Sequence, residues 1–204
     1  MPPSFLRRAL FALLVLYSGA LVGIELLGSA ELARHLCTDI VGPSRLFALN
    51  TSLCAGMLLG AAVLLWFAAH IGAIPPTDRL YFRLQALLFL YLGVDDRFLL
   101  HETWGRLLRI DDALILLALG VAQLALLWRL GRLRARSRAA RLYLLGAGVA
   151  FGVMVVVDGF AAQLAELPRL TLEDGAKAWG AALLLAFAWE LSARACATRP
   201  TETA

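Results

Sequence analysis

Apolar residues fall into six long blocks, at about 9–28, 47–70, 82–102, 112–130, 142–163 and 174–193, with short polar segments between them. Each block is about twenty residues long, enough for a helix rising 1.5 Å per residue to cross a hydrocarbon core. In lipid, a helix satisfies its own backbone donors and acceptors. The pattern therefore predicts an all-α, polytopic membrane protein: one bundle of six transmembrane helices forming a single domain over residues 1–204. "IPPTDR" (Ile74 to Arg79) separates the second and third spans. "PRLTLEDG" (Pro168 to Gly175) leads into the sixth, where Thr171 and Asp174 have the spacing of a capping box. The first block follows Arg7 and Arg8 and ends in small residues, like a signal peptide. It runs past the usual apolar region of such a leader and is predicted to be an uncleaved first span.

Composition supports the membrane class. The chain is 61% hydrophobic, above the soluble average, and the excess lies in the six blocks. No segment remains for a separate soluble domain.

Charge sets the orientation. The net charge is +4, and the basic residues gather in short loops without interleaved aromatics, which excludes a nucleic-acid face. "RLGRLRARSRAAR" (Arg129 to Arg141) holds six arginines and is predicted to be cytoplasmic. With six spans, both termini share that side, as does the 71–81 loop. Most of the 19 basic residues then face the cytoplasm, and most acids face outward. The expected location is a bacterial inner membrane.

Alternating helix direction places the intramembrane polar residues. Glu25, Asn50, Ser52, Asp95, Asp96, Arg97, His101, Glu102, Asp158, Glu173, Asp174 and Lys177 all fall near the outer ends of their spans. Taken as one continuous helix, the third span puts Asp95 and Glu102 on one face and Arg97 and His101 on another. Glu173 and Lys177 are four apart in the favourable acid-first order. A charge at a helix centre costs about 2.5–3.5 kcal/mol on insertion scales, so these groups must pair or face a wet cavity. Lys177, the only lysine, is the expected partner of Asp95 or Asp158, and Arg97 of Asp96.

Three function classes follow. The first is a metal- or ligand-binding site open to the outside and competent for catalysis. Asp95, His101, Glu102, Asp158 and Asp174 are its candidate ligands for a divalent metal that activates water. The second is a proton- or cation-coupled transporter, opposed by an almost featureless inner half. There, Gln123 is the interior polar side chain of the fourth span. The third is a non-catalytic subunit that recognises a lipid headgroup or a membrane partner. His70 and His101 end their spans on opposite sides, roughly 30 Å apart, which excludes a haem between them. Cys37, Cys54 and Cys196 form no CxxC pair. Cys37 and Cys54 share a side of the membrane, so a disulfide between them is one option and buried thiols the other. The five tryptophans read as interface anchors. Gly146, Gly148 and Gly152 read as close helix contacts.

"LFALNTSL" on the second span, "GVDDRFLLHE" on the third and "LEDGAKAWG" on the sixth resemble a group of uncharacterised bacterial polytopic membrane proteins. That group has an Asn- and Ser-bearing second span, an "LDE…LHE" third span and an acid-rich start to its last span. The resemblance covers about residues 45–185. It implies about six spans and a common site of Asn50, Ser52, Asp95, Asp96, His101, Glu102, Glu173 and Asp174. The chain departs from the pattern at Asp96, where Glu is commoner, and at Lys177, where an apolar residue is commoner. A more distant likeness is to the alkaline ceramidase-like membrane hydrolases, which combine Asn, Ser, Asp and His around zinc. The paired histidines of their last span are missing here.

Overall fold

The computed structural model describes residues 3–27, 49–71, 74–131, 136–160 and 166–197. They form seven helices: α1 (Pro3–Leu27), α2 (Leu49–Ile71), α3 (Pro76–Phe98), α4 (Leu100–Leu108), α5 (Asp112–Arg129), α6 (Arg138–Phe160) and α7 (Glu166–Ala197). There is no strand among the described residues, so the all-helical class holds. Three helices contain segments long and apolar enough to cross a membrane: Leu49–His70, Arg138–Val157 and Thr171–Ala197. Shorter apolar segments run over Leu14–Ile24 and Leu114–Arg129. Many large apolar side chains lie on the surface, among them Trp128, 87% exposed, and Leu124. Faces of that kind in a helical protein suit lipid contact.

The chain divides into two compact units. The first comprises Met1–Cys54 and Leu145–Leu183; the second comprises Ala55–Leu144 and Leu184–Ala204. In the first unit, Ala147, Ala178, Ala181 and Ala182 are buried and allow helices to approach closely. Gly180 is the tightest point there: a Cβ would stand 2.8 Å from the Phe151 ring. The core of the second unit is larger-grained, with Leu65, Tyr81, Phe82, Phe89 and Phe187 almost fully buried. At Gly93 a Cβ would meet Leu59 at 3.1 Å and the Ala55 carbonyl at 3.2 Å, so α2 and α3 pack nearly backbone to backbone. Gly146 meets Leu183, but Gly148 and Gly152 have nothing near them among the described residues. Among the described residues, Gly146 is thus the one of the three expected contact glycines on α6 with so close a neighbour.

Two boundaries differ from the sequence pattern. The sixth apolar block begins at 174, yet α7 begins at Glu166. Pro168 falls in the first turn, where its missing N–H has no intrahelical acceptor to lose. Thr171 is thus inside the helix, and the capping-box reading at Thr171–Asp174 is wrong. The expected third span, 82–102, is interrupted. Leu99 adopts a left-handed conformation (φ 51°, ψ 47°), ending α3 and starting α4. The Leu99 N–H donates to the Asp95 carbonyl at 2.7 Å, the bond of a left-handed helix C-cap. Asp95 and Glu102 are consequently not on one face of one helix, and neither are Arg97 and His101.

The remaining helix ends have local causes. Pro75 and Pro76 start α3, with Pro76 in the first turn. Arg109 ends α4 in a left-handed conformation, with the Ile110 N–H donating to the Gly105 carbonyl at 3.1 Å, a Schellman closure. Ser137 caps α6: its Oγ accepts from the Ala140 N–H at 3.1 Å.

Candidate functional site

The break at Leu99 creates the most chemically specific contact in the second unit. Leu99 caps α4 but has no polar side chain, so the first amides of α4 need an acceptor from elsewhere. Asp95, one turn back on α3, supplies it. Its Oδ1 accepts from the His101 N–H at 2.7 Å. Its Oδ2 lies 2.9 Å from His101 Nδ1. One carboxylate therefore holds both the backbone and the ring of a single residue. Its charge also favours the positive end of α4.

This geometry selects a tautomer. An ionised carboxylate only accepts, so Nδ1 carries the hydrogen and donates it to Oδ2. In the neutral ring, the lone pair is then on Nε2. The arrangement orients an imidazole so that Nε2 faces away from the carboxylate as a hydrogen-bond acceptor. Asp95 is buried and His101 half-buried, with the His101 side chain 17% exposed. The ring is therefore at the edge of the packed region. Neighbouring Asp96 is buried too, while Arg97 and Glu102 are half-buried.

A second polar group joins three helices of the first unit. The Tyr17 hydroxyl on α1 donates to Asn50 Oδ1 on α2 at 2.8 Å. Asn50 Nδ2 donates to Asp174 Oδ1 on α7 at 3.0 Å, and lies 3.3 Å from the Asp174 carbonyl. Asn50 is fully buried, and its amide uses both ends. The Cys54 thiol lies 4.0 Å from Asn50 Oδ1. Nearby along the same helices, Trp179 Nε1 donates to Ser18 Oγ at 3.0 Å, and the Trp179 ring stacks on Phe11. Trp179 is thus a packing and hydrogen-bonding residue as well as an aromatic near a span end.

The structure therefore pairs Asn50 with Asp174 and Asp95 with His101. Ser52 is exposed on α2; Glu173 and Lys177 are half-buried on α7. The side chains of Glu25 and Asp158 lie outside the described residues, as does Cys37, one half of the disulfide option. Of the candidate metal set of Asp95, His101, Glu102, Asp158 and Asp174, the Asp158 side chain is outside the described residues, and Asp95, His101 and Glu102 belong to the second unit. Among the described residues, no group of three or more His, Cys, Asp or Glu side chains is placed to hold an ion. Tyr17, Ser18 and the break at Leu99 were not among the residues expected to matter. For Tyr17 and Ser18 the signal was present: hydroxyl side chains inside an apolar span need partners when buried.

A reciprocal amide pair ties α3 to α5. Gln85 Nε2 donates to Gln123 Oε1 at 2.7 Å, and Gln123 Nε2 donates back to Gln85 Oε1 at 3.1 Å. Gln123 is therefore committed to helix pairing.

No curated protein and no solved structure matches the chain. The model of the family described as "domain of unknown function (DUF8692)" matches residues 8–191, and the chain belongs to that family.

Proposed function

We propose that the chain is a multi-pass protein of the bacterial inner membrane whose Asp95–His101 pair receives a small polar ligand from the non-cytoplasmic side. The fold reading is six spans, with α3 and α4 together as the third, and with the start of α1 and the end of α7 in the cytoplasm. The apolar blocks and the arginine-rich 129–141 segment support this orientation. The observation that carries the site is the double contact of Asp95 with His101, which orients Nε2 as an acceptor. With the Asp95 carboxylate buried against this ring, the fitting ligand donates hydrogen bonds and has no negative charge: a hydroxyl compound or a protonated amine. Where the ligand is a hydroxyl or water, Nε2 accepting its proton is a general-base step.

A structural reading rests on the same carboxylate, because Asp95 also caps α4. The two differ in whether His101 is reachable. His101→Cys, in a background with Cys37, Cys54 and Cys196 replaced by Ala, is exposed to a membrane-impermeant maleimide in right-side-out vesicles. Labelling without permeabilisation, and thermal stabilisation of the unmodified protein by ethanolamine that His101→Ala abolishes, are the expected results. Labelling only after permeabilisation defeats the outward-facing site.

A further inference from the structure

Arg136 and Ser137, from the arginine-rich segment, are bonded into the second unit. Arg136 Nη2 donates to Asp78 Oδ1 at 2.9 Å, and its Nε donates to the Gly131 carbonyl at 3.0 Å. Its guanidinium also lies over the Tyr81 and Phe82 rings, 5.2 and 5.7 Å from their centroids. Ser137 Oγ donates to Glu190 Oε1 at 2.9 Å, and Arg194 Nε donates to the same oxygen at 2.8 Å. These bonds gather the start of α3, the end of α5, the start of α6 and the end of α7 at one end of the unit. Asp78 and Glu190 are the described acids of those helix ends, and both are engaged.

Five arginines among the described residues there are left over. Arg79, Arg83, Arg129, Arg138 and Arg141 are exposed. Among the described residues, their guanidinium groups make no hydrogen bond or ion pair. Among the described residues, this surface is therefore strongly cationic, and both of its carboxylates are already engaged. It is also bordered by exposed apolar side chains: Leu80, Leu84 and Leu87 around Arg83, Leu124 and Trp128 before Arg129, and Leu142 after Arg141. Three helices thus end an exposed apolar face in an exposed guanidinium.

We infer that this end of the protein is a binding surface for acidic phospholipids of the cytoplasmic leaflet. The guanidinium groups take the phosphate oxygens, for which their planar donor fork is suited. The leucine and tryptophan faces run along the acyl chains. A soluble phosphate would satisfy the arginines but leave the apolar faces unused, and so the lipid is the occupant. The inference rests on the membrane-spanning part of the proposed function and is independent of His101.

The test uses the full chain, purified in mild detergent and given an equal mixture of phosphatidylglycerol and phosphatidylcholine. Retained lipid is counted by native mass spectrometry. Phosphatidylglycerol is expected to dominate. Arg83→Gln, Arg129→Gln and Arg141→Gln are each expected to lower the preference about fivefold, and the corresponding lysine substitutions to keep most of it. Equal retention of the two lipids by the wild type overturns the inference without any variant being made. So does loss of bound phosphatidylglycerol to millimolar inorganic phosphate, which would mark a free-anion site. Carbonate washing of membranes separates the two levels. Release of the chain defeats the spanning reading as well, whereas an integral chain without lipid preference defeats this inference alone.

Discussion

Replacing Asp95 separates its capping role from its effect on the His101 ring. Asp95→Ala removes the acceptor for the His101 amide and the charge-assisted contact to Nδ1. A lost cap costs about 1 kcal/mol, and a lost hydrogen bond to a charged group about 1.5–3 kcal/mol. Asp95 is only 4% exposed, so water does little to replace either bond. The expected destabilisation is roughly 2.5–4 kcal/mol. Asp95→Asn behaves differently. Its Oδ1 still accepts from the amide, but its Nδ2 is a donor, so Nδ1 must accept and the ring proton moves to Nε2. That variant is expected to keep the cap, losing at least ~1 kcal/mol less than Ala, while removing the acceptor from the ligand side of the ring. Equilibrium unfolding of the detergent-solubilised protein measures the first effect. Nitrogen-15 NMR of the histidine side chains measures the second. An Ala variant within ~0.5 kcal/mol of wild type, or a wild-type His101 protonated only on Nε2, refutes the reasoning.

Three further substitutions test the packing and the backbone. Arg109→Gly, at an exposed left-handed position, is expected to stabilise the protein by about 1 kcal/mol, and Arg109→Val to destabilise it, as read by thermal unfolding. Gln123→Leu leaves the fully buried Gln85 amide without its partner and is expected to cost about 1–2 kcal/mol. Adding Gln85→Leu is expected to recover most of that, so a double-mutant cycle with no coupling would contradict the pair. Gly180→Ala is expected to cost about 1–3 kcal/mol by forcing a methyl against Phe151, whereas Gly148→Ala should be neutral or slightly stabilising.

Apolar block length was enough to place the helices, because a long apolar run in this composition has few other solutions. The α3–α4 break was not legible. "DRFLLHE" contains neither Pro nor Gly, and the left-handed Leu99 is sustained by bonds that Asp95 makes in three dimensions. Pro168 misled in the opposite direction: a residue that ends helices was read as a boundary, yet it lies in a first turn. The cost of burying polar groups marks Asn50, Asp95, His101 and Asp174 as side chains that need partners, and the structure bonds Asn50 to Asp174 and Asp95 to His101. That cost alone did not pair them, since seven-residue spacing assumes an unbroken helix. Arg136 was read only as one of many topology charges. Its bond to Asp78, 58 positions away, has no local signature.

The two polar groups also differ in when synthesis allows them to exist. Asp95 and His101 are 6 positions apart, so their contact can form as soon as that stretch has emerged from the ribosome. Asn50 and Asp174 are 124 positions apart, and their bond must wait for the last helix to be made. Until then Asn50 is an amide in an apolar helix whose cross-helix partner among the described residues is Tyr17, already synthesised on α1. The chain thus carries an early, self-contained polar element and a late one whose closure reports that α7 has docked into the first unit.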